Sequence, residues 1–155
     1  CQKIVMIGGT SRSFSMPADL RWEGFLDVCR SENIPVLEVD TGLDEFNKME
    51  YHDTIRKALL ENRGTDGIFA SSDVIAMQTI QICHELQYKV PEDIRIIGFD
   101  DTDIAMLGFP RITTIRQPVP EMAAMAVGLL EDAIDGKTVP ERSILPVTLI
   151  ERESA

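Results

Sequence analysis

The chain has 155 residues, of which 44% are hydrophobic and 26% are charged. This composition is typical of one globular domain with a buried core, and it excludes a disordered or fibrous protein. The net charge of −11 repels phosphate backbones, so we do not expect this segment to bind nucleic acid by itself. No apolar run approaches the roughly 20 residues of a membrane-spanning helix, so no membrane partner is expected.

The three cysteines, Cys1, Cys29 and Cys83, are scattered along the chain and form no C-x-x-C pair. This usage predicts a reduced, cytoplasmic setting in which the thiols act as small apolar fillers. Strand-like sequence follows the first residues directly, without a signal-peptide pattern. We therefore expect the chain to be a piece of a longer protein.

Apolar runs and amphipathic stretches alternate through most of the chain. The predicted strands are residues 3–7, 35–40, 67–70 and 94–99, and the predicted helices are residues 17–29, 45–61 and 72–86. Ser71 or Ser72 is expected to cap the last of these helices. The order β-α-β-α-β-α-β predicts an α/β fold, a doubly wound parallel sheet with helices on both faces.

The pattern changes after Pro110. Residues 112–115 predict a short strand, residues 121–134 a helix and residues 144–150 a last strand. The helix carries an apolar stripe that includes Met122. Such a stripe usually belongs to a core, and here it is also consistent with a face whose partner lies outside this chain.

Ligands of open parallel sheets bind at the carboxyl ends of the strands. That rule selects residues 8–17, 40–46, 71–73 and 100–101. The Gly8–Thr10 stretch lacks both the dinucleotide fingerprint and the GKS or GKT ending of a phosphate loop, so a tight turn is expected and no cofactor is predicted.

Two sets of charged residues have several possible roles. Asp100 and Asp101 suit a polyol, a metal ion or the cap of a helix over residues 102–107, and their composition favours the cap. A phosphoacceptor aspartate would need further acidic residues and a late lysine, which are missing. Arg21 is either a surface ion pair or a bidentate clamp on hydroxyls or a carboxylate.

The chain contains no pattern that predicts catalysis. Ser71 and Ser72 are not surrounded by the G-x-S-x-G motif of a nucleophilic serine. His52 and His84 fall within predicted helices, where we expect them to be solvated or hydrogen-bonded, and no cluster has the spacing of a zinc site. We therefore do not expect an enzyme.

Five segments together resemble motifs of the lactose-repressor/galactose-repressor family of bacterial transcription regulators. They are residues 21–25, similar to R-x-x-G-F; residues 67–77, similar to A-(I/L)-F-x-x-N-D-x-x-A-x-G; residues 90–101, similar to V-P-x-D-(V/I)-x-(V/I)-x-G-(F/Y)-D-(D/N); residues 112–118, similar to L-T-T-(V/I)-x-Q-P; and residues 144–154, similar to L-P-x-x-L-(I/V)-x-R-x-S. Their order matches that of the family across nearly the whole chain.

The resemblance implies a two-lobed, periplasmic-binding-protein-like sensor that holds a small molecule between its lobes. Residues 1–116 and 141–155 would form the C-terminal lobe, to whose sheet residues 143–152 return. Residues 117–140 would cross into the N-terminal lobe, which is otherwise missing. The helix-turn-helix head that binds DNA would also be absent, and DNA would be a partner only through that head.

The resemblance also implies a set of effector-binding residues. Arg21 would donate hydrogen bonds to ligand hydroxyls, and Asp100 would accept them. Ser72 replaces the asparagine that many members carry, which favours a ligand different from a plain hexose or a bridging water. Phe46 would stack on the ligand, and Arg12 is a further candidate.

The function implied is the sensing and dimerisation domain of a repressor. An effector would favour one arrangement of the lobes and so control the fit of the heads to DNA. A sugar or sugar derivative is the expected effector, with a purine as the alternative. The homodimer would form through the C-terminal lobe, involving helices 45–61 and 73–87. The main rival is a periplasmic sugar-binding protein of a transporter.

Overall fold

The computed structural model describes residues 1–8, 16–41 and 51–155, which form six strands and five helices. The strands are β1 (Ile4–Gly8), β2 (Val36–Asp40), β3 (Gly67–Ala70), β4 (Arg95–Asp100), β5 (Thr113–Arg116) and β6 (Thr148–Ile150). The helices are α1 (Met16–Ser31), α2 (His52–Glu61), α3 (Asp73–Glu85), α4 (Ile104–Leu107) and α5 (Val119–Ile134).

All six strands belong to one sheet, in the order β2-β1-β3-β4-β5-β6. The first five strands pair in parallel, and β6 runs antiparallel to β5 at one edge. The strand order reverses direction at β1, which has β2 on one side and β3 on the other. The predicted α/β fold with a doubly wound parallel sheet is confirmed.

Helices cover both faces of the sheet. On one face α2 and α3 pack over the central strands in a single core, whose fully buried members include Ile55, Ile82 and Ile96. On the other face Phe25 of α1 stacks on Phe69 of β3, with ring centroids 5.0 Å apart. Each large apolar side chain buried in this way stabilises the fold by about 1.5–3 kcal/mol.

Several predicted elements differ in length from those observed. The helix predicted over residues 45–61 begins at His52, and Tyr51 lies outside it; residues 45–50 of that prediction are not described. The last strand covers only Thr148–Ile150, because Pro146 breaks the predicted run and residues 144–147 have no neighbouring strand. Conversely, α5 begins at Val119 because Pro120 is tolerated in the first turn of a helix.

The apolar stripe of α5 is exposed to solvent. None of the helix is buried, and the exposed fractions of Val127, Leu130 and Ile134 are 57%, 61% and 76%. A helix this apolar normally buries one face, because each exposed side chain forgoes the free energy of burial. The stripe therefore contributes nothing to the core of this chain.

The prediction that the thiols are small apolar fillers is right for two cysteines and wrong for the third. Cys29 and Cys83 are buried free thiols, and burial raises the pKa of the Cys83 thiol to about 12. Cys1 is exposed because it precedes β1, so it fills no core. In the part of the chain that the structure describes, no helix is long and apolar enough to cross a membrane.

His52 links α2 to α3 and makes their contact sensitive to pH. Its Nε2 lies 3.0 Å from Glu85 Oε2, and this hydrogen bond, followed by the one to Asp53, raises the pKa of the imidazole. A raised pKa means that the stabilisation is complete below the unfolded pKa of about 6.5 and is lost as pH rises through the folded value.

Replacing His52 with glutamine should therefore destabilise the protein more at pH 5.5–6 than at pH 9, as measured by urea unfolding at each pH. The variant Glu85→Gln removes the main partner and should reduce the pH-dependent difference. An equal effect of His52→Gln at both pH values would contradict this account.

Candidate functional site

The carboxyl ends of the parallel strands bring together residues from α1, β3 and β4. Arg21 of α1 reaches over the sheet, and its Nη1 donates to the Ser71 carbonyl oxygen at 2.6 Å. Its guanidinium carbon lies 3.6 Å from the centre of the Phe99 ring. Arg21 is therefore no surface ion pair: a carbonyl oxygen and an aromatic face fix the guanidinium plane at the strand ends.

Arg21 is partly buried and not fully hydrogen-bonded. Burial lowers the pKa of the guanidinium, and the negative charge of Asp100 opposes this shift. Its Nε is buried without a hydrogen-bond partner among the described residues. A buried N–H without an acceptor costs about 1–3 kcal/mol, so an acceptor beside Arg21 would be stabilising.

Asp100 lies at the end of β4 with a backbone φ of 106°, and Asp101 follows with a φ of 54°. Both values are uncommon for residues with a side chain, and such conformations cost of order 1–3 kcal/mol each. Asp100 Oδ1 accepts a hydrogen bond from Gln117 Nε2 at 2.6 Å. The Asp100 carboxylate is thus tied to the segment that leads from β5 into α5.

Asp101 is held by two arginines. Its oxygens lie 2.5 Å from Arg116 Nε and 2.6 Å from Arg152 Nη2, and its side chain is only 6% exposed. Burial by itself would raise the pKa of Asp101, but hydrogen bonds from Arg152 and Arg116 outweigh it and lower the pKa. The capping role favoured for Asp100 and Asp101 is therefore wrong. The cap position of α4 is Asp103, whose side chain makes no capping hydrogen bond.

Asp73 connects the helix and loop that flank the site. The side chain is 1% exposed, and its Oδ2 accepts from the backbone N–H and the hydroxyl of Thr102 at 2.7 and 3.0 Å. Its Oδ1 accepts from the Thr114 hydroxyl at 2.6 Å. One buried carboxylate in the first turn of α3 therefore joins that helix to β5 and to the loop after Asp101.

Gly98 leaves the space that this carboxylate occupies. A Cβ at Gly98 would lie 2.5 Å from Asp73 Oδ1 and 3.1 Å from Ile112 Cγ2. Because Thr114 fixes that oxygen, Gly98→Ala should lower the free energy of unfolding by about 2–3 kcal/mol, measured by denaturant titration. Gly24→Ala is the control, since no atom lies within 4 Å of that position on α1. It should raise stability by about 0.5–1 kcal/mol, and equal losses in both variants would contradict the overlap argument.

The remaining predicted site residues fall into two groups. Ser72 caps α3, because its Oγ accepts from the Ile75 N–H at 3.3 Å, as the sequence predicted. Phe46 and Arg12 lie outside the described residues. The sequence missed Gln117 and Asp73, although the first belongs to the T-T-x-x-Q-P segment and the second to the Ser-Asp pair that starts a helix. Among the described residues, no group of three or more His, Cys, Asp or Glu is placed to hold a metal ion.

Comparison with protein families identifies the chain. The model of the periplasmic binding protein-like domain matches residues 1–155. The chain belongs to the periplasmic binding protein-like domain family. This match also accounts for the parallel sheet whose strand ends carry the site.

The relatives confirm the resemblance to the lactose-repressor/galactose-repressor family. The chain is 37% identical over 155 residues to a sucrose operon repressor of Streptococcus mutans, covering 99% of this chain and 46% of that protein. It is 34% identical over 158 residues to a ribose operon repressor of Halalkalibacterium halodurans, covering 99% and 45%. The chain thus spans about half the length of the curated relatives it matches.

Solved structures of this family have the same fold. A LacI-type regulator from Alkaliphilus metalliredigens complexed with D-xylulofuranose is 32% identical and superposes with a TM-score of 0.83, covering 99% of this chain and 57% of that one. The lac repressor bound to ONPG is 25% identical with a TM-score of 0.85, covering 99% and 46%. The relatives named here are transcriptional repressors or regulators, which are binding proteins and not enzymes.

Proposed function

We propose that this chain is the effector-sensing and dimerisation domain of a bacterial transcriptional repressor, and that its effector is a sugar or sugar derivative. The observation that carries the proposal is the position of the Arg21 guanidinium, which binds the Ser71 carbonyl and lies over the Phe99 ring at the strand ends, where Asp100 provides a carboxylate. A planar set of donors and a carboxylate acceptor match the hydroxyls of a sugar. The names of the relatives, which include sucrose and ribose operon repressors, support this class.

Other residues are proposed to complete the effector site. Ser72 lies beside Ser71, whose carbonyl Arg21 binds, but its hydroxyl already caps α3. Because that oxygen only accepts in the cap, its O–H would remain free to donate to a ligand, directly or through a water. Phe46 and Arg12, which follow β2 and β1 in the sequence, are proposed to close the site at the same strand ends.

We infer that residues 117–140 belong to a second, N-terminal lobe, and that residues 1–116 and 141–155 form the C-terminal lobe. The full exposure of α5 supports this division, because its apolar stripe has no partner among the described residues. The effector would then bind between two lobes and shift their relative orientation. It biases that equilibrium only by its difference in affinity for the two orientations.

The homodimer is proposed to form through the C-terminal lobe. Next to α3 lies an exposed apolar surface, in which Leu107 and Phe109 are 80% and 91% exposed. The segment that carries Leu107 and Phe109 packs on α3, because a Cβ at Gly108 would overlap the side chain of Met77 in that helix. The surface supports an interface that includes α3, together with α2 as the sequence predicted. DNA would bind only through a separate head, and a protein that regulates transcription would act in the cytoplasm.

The alternative function, a periplasmic sugar-binding protein of a transporter, would use the same fold and the same ligand chemistry. The relatives favour the repressor, because the sucrose and ribose proteins named above regulate operons. The two functions differ in one measurable property. A repressor's operator affinity changes when the effector binds, and a transport protein has no operator.

The test is a thermal-shift screen of the intact two-lobed protein against sugars, sugar phosphates, polyols and purines. A ligand at 100 times its dissociation constant should stabilise the protein by about 2.7 kcal/mol. Arg21→Ala and Asp100→Asn should abolish the shift. A ligand whose shift survives both substitutions would place the pocket elsewhere, and a shift with purines alone would replace the sugar with a purine.

A further inference from the structure

We propose that Arg152 is a positioning residue for the effector site: through Asp101 it holds the Asp100 carboxylate where the effector must meet it. The inference rests on the proposed function, because Asp100 is the acceptor of that site. Arg152 itself lies beyond the last strand, near the C-terminal end of the chain. It acts through Asp101 and does not need to touch the ligand.

The first step concerns the backbone at the end of β4. Asp100 and Asp101 both have positive φ, at 106° and 54°, and neither is a glycine. Such a conformation persists only where the surroundings hold it. The contacts that hold it include two bonds to the Asp101 carboxylate, from Arg152 at 2.6 Å and from Arg116 at 2.5 Å, beside the bond from Gln117 to Asp100.

The second step concerns what holds Arg152. Its Nη1 donates to the Ile112 carbonyl at 2.8 Å, and its backbone N–H donates to Thr113 Oγ1 at 2.9 Å. Ser154, two residues further along, is fully buried: its Oγ donates to the Ile96 carbonyl at 2.6 Å and accepts from the Thr113 N–H at 2.9 Å. The C-terminal segment is thus fixed to β4 and β5, and these contacts hold the Arg152 guanidinium against Asp101.

The third step separates Arg152 from Arg116. The Arg116 side chain is 56% exposed, whereas that of Arg152 is 10% exposed. An ion pair that water reaches less is screened less, so Arg152 contributes more to holding Asp101. The chain also offers a matched control. Glu153, the next residue, forms an ion pair with Arg111 that lies outside the Asp101 contacts.

The test uses the full-length protein and the variants Arg152→Gln, Asp101→Asn, Arg152→Lys and Glu153→Gln. Hydrogen–deuterium exchange, without any sugar, should become at least tenfold faster in the peptide covering residues 99–102 in Arg152→Gln and in Asp101→Asn. Glu153→Gln should leave it unchanged. Arg152→Lys keeps the charge and should restore part of the protection. Titration with D-ribose and with sucrose should then show at least tenfold weaker binding in Arg152→Gln and in Asp101→Asn. A double variant that combines these two substitutions should bind no more weakly than either single variant.

Two outcomes would overturn the proposal. One is faster exchange in Arg152→Gln throughout β4 and β5 with none in Asp101→Asn, which would give Arg152 a purely stabilising role. The other is an unchanged affinity of these variants for a bound sugar although hydrogen–deuterium exchange at residues 99–102 becomes faster. If neither sugar binds the wild-type protein, the exchange result still decides whether Arg152 positions the loop, and only the choice of effector in the proposed function fails.

Discussion

Asp73→Ala should lower the free energy of unfolding by about 3–5 kcal/mol, measured by urea or guanidinium titration. The substitution removes the acceptor of three hydrogen bonds, two from Thr102 and one from Thr114. The Thr114 hydroxyl is fully buried, and a buried donor left without a partner costs about 1–3 kcal/mol, to which the loss of the two bonds from Thr102 adds. The acidic residue in the first turn of α3 also interacts favourably with the helix dipole.

Asp53→Ala is the control for this prediction. Asp53 also occupies the first turn of a helix, α2, but its side chain is fully exposed. Its replacement should change stability by no more than about 0.5 kcal/mol. Asp73→Asn should fall between the wild type and Asp73→Ala, because the amide keeps one acceptor and directs its donor at another donor. If Asp73→Ala lowers the free energy of unfolding by less than about 1 kcal/mol relative to Asp53→Ala, water replaces the carboxylate, and Asp73 does not stabilise the contact between α3, β5 and the loop after Asp101.

Arg21→Ala should weaken effector binding about 100-fold, which corresponds to about 2.7 kcal/mol of binding free energy. The guanidinium provides donors in a plane fixed by the Ser71 carbonyl and the Phe99 ring. Charge-assisted hydrogen bonds of this kind are about twice as strong as neutral ones. Isothermal titration calorimetry of the intact protein, with the sugar found in the screen, measures the loss.

The same substitution should leave stability nearly unchanged or raise it slightly. The substitution loses the hydrogen bond to Ser71 and the stacking on Phe99, but it also relieves the cost of the buried Nε, which has no partner among the described residues. Arg21→Lys should retain charge but lose the planar geometry and stacking, with an intermediate loss of affinity. Arg30→Ala, at the exposed end of the same helix, should alter neither property. A fall in stability that matches the fall in affinity would mean that Arg21 only supports the fold.

The two predictions assign different roles to Asp73 and Arg21, one in stability and one in effector binding. Both carboxylate oxygens of the buried Asp73 have donors, so its loss should damage the fold. Arg21 keeps one buried N–H without a partner among the described residues, and its loss should damage binding. Residues that bind ligands commonly reduce stability in the empty protein, because the ligand supplies their missing partners. Measuring both stability and affinity for each variant therefore separates the two roles.

The local elements of this fold could be predicted from the sequence. The apolar runs bounded by Gly, Pro, Ser and Asp predicted β1 to β5 to within about two residues, the boundary accuracy that such patterns carry. The Ser72 cap followed from the preference of helix N-termini for short polar side chains. The family resemblance predicted Arg21 and Asp100 as effector-binding residues; the structure places Asp100 at the end of β4 and the Arg21 guanidinium on the Ser71 carbonyl, just after β3.

The roles of Asp100 and Asp101 could not be predicted in this way. Considered locally, two aspartates before a short helix favour a cap. Neither of them caps α4. Asp101 instead binds Arg152, 51 positions along the chain, and Asp100 binds Gln117, 17 positions along. The return of β6 and the C-terminal segment to the sheet creates the first contact, and the pairing of β5 with β4 creates the second.

By itself, the sequence determined the elements, their parallel order and the residue types that meet at the strand ends, because these depend on periodicity and on contacts between neighbours in the chain. Only the tertiary structure decided which charges pair and which remain open to a ligand. Thr114 lies 41 positions from Asp73, and Ser71 lies 50 positions from Arg21. Contacts over such separations depend on which strands become neighbours and in what register, and that is settled by burial of the whole sheet.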